Sequence, residues 1–181
     1  MMTQTIDMVD LLTILQLANK GLSLQKDDSR SITRYQLLKE VNIHLLHTGQ
    51  DLSPGVFYGR IAKLINFKYI SSGSVIRRGR TIEMLSINSA TREEVPGLIL
   101  TFVNNLNIFN HKEIYFIHYL NNFNPSKDLH RKIKDVISIK MIKIKHDLNC
   151  SRNNSAYFDD DYFRASTEWR NHWLGFIEKL L

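Results

Sequence analysis

Cysteine is nearly absent. Cys150 is the only one in 181 residues, so there is no intramolecular disulfide and no Cys-x-x-Cys metal pair. Glycine and proline are sparse, at 8 and 3, and no glycine-rich phosphate loop occurs. Neither a Gly-x-Ser-x-Gly nucleophile turn nor a His-Glu-x-x-His zinc motif is present, and no pair of carboxylates stands in a context suited to acid–base work. The 7 histidines do not fill that gap. His44 with His47, and His111 with His118, are spaced along helices, but neither pair has a cysteine or carboxylate at ligand spacing. His146 lies one helical turn before Cys150, which is slight support for a reactive thiol. Asp159, Asp160 and Asp161 read as an acidic helix start, not as a metal cluster. No run approaches the roughly 18–20 apolar residues of a membrane span. The opening MMTQTIDMVD carries acids and no long apolar run, unlike a signal peptide. These absences predict a soluble, cytoplasmic protein that is not an enzyme and holds no metal or cofactor.

What is present is an ordinary apolar content, 43%, enough for a packed core and too much for disorder. The length suits one domain of ordinary size or two small ones. A net charge of +6 and a pI near 9.4 favour a polyanionic partner only weakly; where the charge sits says more. Over residues 51–91 the bases are Arg60, Lys63, Lys68, Arg77, Arg78 and Arg80, and the acids are only Asp51 and Glu83.

That basic stretch has an internal order. Ser53 and Pro54 predict a helix start, a hydroxyl cap followed by proline at the first helical position. Phe57, Ile61, Leu64 and Ile65 form its apolar stripe, with Tyr58, Arg60 and Lys63 on the other face. After a Ser-Ser-Gly break, residues 74–77 and 80–87 read as strands joined by a turn at Arg78-Gly79. Arg77, Arg78 and Arg80 then lie at a hairpin tip. A capped helix beside an arginine-tipped wing is the layout of a winged helix-turn-helix.

Two helices are expected ahead of it. Residues 8–20 are amphipathic on Met8, Leu11, Leu12, Leu15 and Ala18, with Gly21 as the stop. A polar loop over 22–30 leads to a helix over 33–47, capped by Ser31 or Thr33, with Tyr35, Leu38, Val41, Ile43 and Leu45 or Leu46 as its stripe. Beyond Asn88 the period is helical throughout. Asn88 or Ser89 caps a helix with Glu93 and Glu94 near its start; Pro96-Gly97 is expected to interrupt it. Residues 98–109 continue on Leu98, Phe102, Val103, Leu106 and Phe109. Residues 110–123 follow, with Ile114, Ile117, Leu120 and Tyr115 as candidate core. Pro125-Ser126 restarts a long helix to about Leu148 carrying Leu129, Ile133, Val136, Ile137, Met141 (or Lys140), Ile144 and Leu148. Within it ISIKMIKIK also alternates like a strand, but the long spacing of three and four predicts a helix. A polar loop around Cys150 precedes the last helix, residues 158–180, with Trp169, Trp173, Phe176, Ile177 and Leu180 on one face. Residues 127–145 are basic and 157–181 acidic, which suits pairing of the last two helices within a chain or between chains. The expected fold class is mainly α with a small β-hairpin. A winged helix-turn-helix DNA-binding domain spans residues 1–90 and an all-helical dimerisation or effector domain spans 91–181.

The stretch LSPGVFYGRIAKL resembles the third helix of the PadR family of bacterial transcriptional regulators, through Ser53, Pro54, Gly55, Tyr58 and Leu64. Thr33-Arg34-Tyr35 resembles that family's second-helix start, with Arg34 where it usually has glycine. Arg78-Gly79-Arg80 resembles the wing tip. Residues 98–120 resemble the first two effector-domain helices of the longer branch, and Trp173-Leu174 the Trp-Leu of its last helix. Three features depart from the pattern. Gly59 follows Tyr58 where proline is common, Lys68 stands where glycine usually precedes the first wing strand, and the 22–30 loop is longer. The resemblance implies a homodimer whose C-terminal helices swap or pack across a two-fold axis. Two winged domains then read an inverted repeat in DNA, typically as a repressor. Some relatives sense small phenolic or drug-like molecules in the dimer cavity.

Site roles follow. For double-stranded DNA the candidates are Arg34 and Tyr35 at the second-helix start, Ser53, Tyr58, Arg60 and Lys63 on the third helix, and Arg77, Arg78 and Arg80 on the wing. Tyr35 is equally suited to the core, Ser53 to a purely structural cap, and Arg60 to a phosphate or a guanine edge. For dimerisation they are Ile133, Ile137, Ile144, Trp169, Trp173, Phe176, Ile177 and Leu180. Phe102, Tyr115, Trp169 and Trp173 are candidates for lining a small aromatic effector site, or else for core or dimer interface. The function expected is a sequence-specific transcriptional regulator. The alternative is a protein-interaction or small-molecule-sensing adaptor that retains the winged fold.

Overall fold

The computed structural model describes residues 6–20, 31–122, 126–153 and 160–180. The stop at Gly21, the loop expected over 22–30 and Asn154 lie outside them, and so does the Leu180 side chain. The chain divides into two compact units, Met1–Phe102 and Val103–Leu181.

In the first unit, helix α1 (Met8–Lys20) opens on Asp7, whose carboxylate accepts the Asp10 amide at 2.9 Å. The helix is not amphipathic as expected. Every residue from 9 to 18 is buried, Asp10, Thr13 and Gln16 included. The reason is that α2 and the hairpin both pack on α1, so more than one of its faces is covered. Thr13 meets burial by donating its hydroxyl to the Val9 carbonyl at 2.7 Å.

Helix α2 (Arg34–Leu45) begins on Thr33, not Ser31. The Thr33 hydroxyl accepts the Gln36 amide at 3.2 Å while the Gln36 side chain accepts the Thr33 amide, a capping box. Its inward residues are Leu37, Leu38, Val41 and Leu45. The buried stripe is rotated from the expected one: Tyr35, Ile43 and Leu46 are exposed, because the run Leu37–Val41–Leu45 at intervals of four carries the buried face. A short 3₁₀ turn, Leu46–Thr48, ends α2. The Asn42 side chain then holds Leu52 by both backbone groups, accepting its amide and donating to its carbonyl, each at 3.1 Å. That clasp sets where helix α3 (Pro54–Asn66) starts.

Ser53 caps α3, accepting the Val56 amide at 3.5 Å, and Phe57, Ile61 and Leu64 are buried. At its far end Lys68 takes a left-handed φ of 63°. This lets the Lys68 and Tyr69 amides turn back to the carbonyls of Ile65 and Leu64, at 2.9 and 3.0 Å. The position normally held by glycine in the resembling family is thus one where the backbone asks for glycine. Strands β1 (Ser71–Arg77) and β2 (Arg80–Ser86) pair antiparallel, from Ser71↔Ser86 to Arg77↔Arg80. Ile32, just before α2, pairs with Leu85 through hydrogen bonds of 3.0 and 2.7 Å. Three helices, then a hairpin whose inner strand is joined by a short segment ahead of the second helix, make a winged helix-turn-helix.

Helix α4 (Ser89–Asn105) runs from the first unit into the second, capped by Asn88, which accepts the Thr91 amide at 2.6 Å. The interruption expected at Pro96-Gly97 does not occur. Thr91, Val95, Ile99 and Val103 are buried at a spacing of four, while Pro96 and Gly97 are exposed. Continuous burial outweighs the one backbone bond that proline removes. This phase also leaves Leu98 and Phe102 only half-buried, and the helix stops at Asn105, short of Phe109.

The second unit continues with α5 (His111–Asn122), α6 (Lys127–Asn153) and α7 (Asp160–Leu180). Ile114, Ile117 and Leu120 are buried as expected; Phe116 takes the inward place assigned to Tyr115, which is exposed. The alternating ISIKMIKIK is helix, and α6 carries on through Cys150, where a loop is expected from the sequence. Leu129, Ile133, Ile137, Met141 and Leu148 line its buried side. Lys140 donates to the Leu106 carbonyl at 3.0 Å. Burial lowers its pKa, with Glu113 pulling the other way. Helices α6 and α7 pack together, with a Lys145–Glu178 ion pair at 2.5 Å across them. No helix among the described residues is long and apolar enough to cross a membrane.

The helical phase of α6 separates two isoleucines that a strand would place on one face. Ile137 is 0% and Ile139 67% exposed. Replacing Ile137 with alanine is expected to cost about 2–4 kcal/mol, and Ile139→Ala less than about 0.5 kcal/mol, in urea denaturation followed by helical circular dichroism. Equal losses would contradict this phase.

Candidate nucleic-acid interface

The wing is built by a two-residue turn. Arg77 pairs with Arg80, leaving Arg78 and Gly79 as the loop, with φ of 51° and 70°. Two successive left-handed residues match the twist of the flanking strands, which is why Asn-Gly is the usual choice. Gly79 meets that demand; Arg78 holds it at a cost of about 1–2 kcal/mol. Arg77, Arg78 and Arg80 are all exposed, and no acid among the described residues pairs with them.

The root of the hairpin is tied to the helices. Arg34 makes a two-pronged ion pair with Glu83 of β2, both contacts at 2.8 Å. The same guanidinium lies over the Tyr58 ring of α3, 5.8 Å from its centroid. One arginine therefore joins the start of α2, the side of α3 and the wing. Tyr35 next to it is 57% exposed, with the Lys39 ammonium 4.7 Å above its ring, so it is not part of the core. Ser53, Pro54, Gly55 and Val56 at the α3 start are exposed.

Arg60 and Lys63 reach acids at the start of α1. Arg60 Nη1 lies 2.6 Å from Asp7 and 2.9 Å from Asp10, and Lys63 Nζ lies 2.6 Å from Asp10. The Asp10 side chain has no exposed surface, whereas Arg60 and Lys63 retain 27% and 38%. Burial acts to lower the Arg60 pKa, but hydrogen bonds and attraction from Asp7 and then Asp10 raise it above its ordinary value. The four charges join α3 to α1. Asp7, Asp10, Glu83 and Asn42 are the residues that reading the sequence missed. Asp10 did carry a signal: an acid amid Met8, Val9, Leu11 and Leu12 is buried only when a cation meets it.

In the second unit the aromatics form a ladder. Phe109, Trp169, Trp173 and Phe176 stack in succession, with centroids 6.1, 6.3 and 5.4 Å apart. Trp173 donates its indole N–H to the Ile108 carbonyl, while Trp169 and Phe176 stay 56% and 48% exposed. Tyr115 instead meets His118 edge-on. Of the residues read as dimerisation candidates, Ile133, Ile137 and Ile177 are buried within this unit, and Ile144 and Trp173 half-buried. Among the described residues no group of three His, Cys, Asp or Glu side chains is placed to hold a metal ion. Cys150 is exposed, its sulfur 3.8 Å from the His146 ring nitrogens.

Removing the buried carboxylate tests the cluster. Asp10→Ala leaves Lys63 without its acid and Arg60 with Asp7 alone, and both cations still reach solvent, so the expected loss is about 2–3 kcal/mol, below that of a fully buried pair. The midpoint of urea denaturation measures it; an unchanged midpoint would deny the cluster a structural role.

No protein-family model and no curated protein matches the chain. Among solved structures it is similar to Bacillus subtilis PadR in complex with operator DNA, at 13% identity over 92% of this chain and 96% of that one, with a TM-score of 0.33. It is also similar to the circadian clock associated protein Pex from Anabaena, at 15% identity over 54% of this chain and 78% of that one, with a TM-score of 0.36.

Proposed function

We propose that this chain is a sequence-specific DNA-binding transcriptional regulator that acts as a homodimer on an inverted repeat, as a repressor. The observation that carries the reading is the wing tip. Three exposed arginines sit on a rigid two-residue turn, and one of them keeps a strained backbone where asparagine or glycine would relax it. Strain of this kind persists where the side chain has a use, and a clustered guanidinium tip fits phosphates or a narrow minor groove. Beside it, α3 offers a solvent-facing N-terminal turn of the sort that enters a major groove. The resemblance of residues 52–64 to the PadR third helix points the same way. In this reading Arg77, Arg78, Arg80, Tyr35 and Ser53 meet the DNA backbone, Arg34 and Tyr58 brace the wing against α3, and Arg60 and Lys63 hold α3 on α1.

The dimer rests on the exposed part of the aromatic ladder. Trp169 and Phe176, with Ile139 and Ile142 at 67% exposure each, leave apolar surface that suits a second copy. Two-fold symmetry in the protein then asks for an inverted repeat in the DNA. The near-parallel indoles of Trp169 and Trp173, 3° apart, favour a second reading in which this face also senses a planar aromatic effector. Quenching of tryptophan fluorescence by such a molecule, absent in Trp169→Ala, would support it.

Replacing Arg77, Arg78 and Arg80 with alanine is expected to weaken binding to every duplex. The slope of log K against log salt should fall by about 0.9 for each phosphate that is no longer neutralised. An anisotropy titration with unchanged slope sinks the wing assignment. Trp169→Ser combined with Phe176→Ser should shift sedimentation equilibrium from dimer to monomer; a variant that stays dimeric contradicts the proposed interface. Repression is tested with a reporter driven by a selected binding site, where activation would reverse the sign.

A further inference from the structure

The outward side of α3 lacks the side chains that usually read guanine. At 100° per residue, the face opposite Phe57, Ile61 and Leu64 is made of Gly55, Gly59, Ala62 and Asn66, all exposed, with Val56 on its flank at 55% exposure. The long basic residues of that flank, Arg60 and Lys63, are held by Asp7 and Asp10 at 2.6–2.9 Å. Internal packing does not explain the small residues. A Cβ built on Gly55 or Gly59 meets nothing within 4 Å, and neither residue has a positive φ. Both therefore lower helix stability relative to alanine with no gain inside the molecule. Outside it, they let the helix lie closer to a groove floor. In that groove guanine presents acceptors that call for Arg or Lys, whereas thymine presents a C5-methyl that calls for apolar contact. The exposed face has methyl groups and no free guanidinium.

Resting on the reading of α3 as the helix that enters the major groove, we propose that Val56 and Ala62 determine specificity by packing on thymine methyl groups. The half-site is then read at A·T pairs, and Arg60 and Lys63 remain on α1 and contact no guanine.

The test uses the full chain and duplexes selected by it from a random library. The selected duplex is remade with deoxyuridine for thymidine, which removes only the methyl groups, and separately with 7-deazaguanine, which removes a guanine acceptor. Uracil substitution is expected to weaken binding about fourfold per contacted methyl, and the deazaguanine duplex to bind as the parent does. Val56→Ser, at an exposed position and checked for unchanged circular dichroism, should weaken the parent complex by a similar factor in each half-site and lose sensitivity to uracil at one base pair of each half-site. Undiminished binding to the uracil duplex, or weakening by deazaguanine in its place, overturns the proposal while leaving DNA binding intact. A library from which nothing is enriched overturns the DNA reading itself.

Discussion

Asp10 is the constraint on which the first unit depends. A carboxylate with no exposed surface, in a helix buried on nearly every side, is tolerable only if cations meet it. Arg60 and Lys63 do so from three residues apart on α3, and Asp7 adds a second acid at the mouth of the cluster. Apolar contacts from Phe57 and Ile61 would permit α3 several rotations about its axis. Two cations converging on one carboxylate permit one. That rotation decides which residues of α3 face solvent, so the outer face of α3 is set from inside the molecule.

Much of this unit is legible in the sequence. The hydroxyl-Pro-Gly start, the spacing of Phe57, Ile61 and Leu64, and the turn at Arg78-Gly79 each have a local physical cause and lie where expected, whereas Ser71-Ser72-Gly73, expected as a break, is drawn into β1 by its pairing with Met84–Ser86. What is not legible depends on long-range pairing. Arg60 and Lys63 look solvent-facing in sequence because a helical wheel shows polarity, not partners, and Asp10 is 50 or more residues away. Tyr35 and Ile43 fit an apolar pattern of three and four, yet Leu37, Val41 and Leu45 make a second stripe on the same helix. Packing selects that second stripe, which turns Tyr35 and Ile43 to solvent. The break expected at Pro96 fails for a related reason: a buried ladder from Thr91 to Val103 is a property of the packed state.

The second unit divides its apolar residues between two uses. Ile133, Ile137, Leu174 and Ile177 close its interior, while Trp169, Phe176, Ile139 and Ile142 stay at the surface. The sequence shows both groups on the same two helices with the same spacing. Only the phase of α6 against α7, marked by Lys145 and Glu178, separates them. Lys140 has a quieter part, supplying a donor to the Leu106 carbonyl just beyond the end of α4.

The anchoring of the wing has a mechanical consequence. Ile32 holds Leu85 and Arg34 holds Glu83, but among the described residues no ion pair fastens the hairpin beyond that point. From Glu83 to Arg78 the strand extends roughly 17 Å at about 3.3 Å per residue. The hairpin is therefore a lever with its pivot at the Arg34–Glu83 pair. A rock of roughly 10° there sweeps the arginines by about 3 Å. A single exposed ion pair, also in touch with Tyr58 on α3, thus sets the reach of the tip.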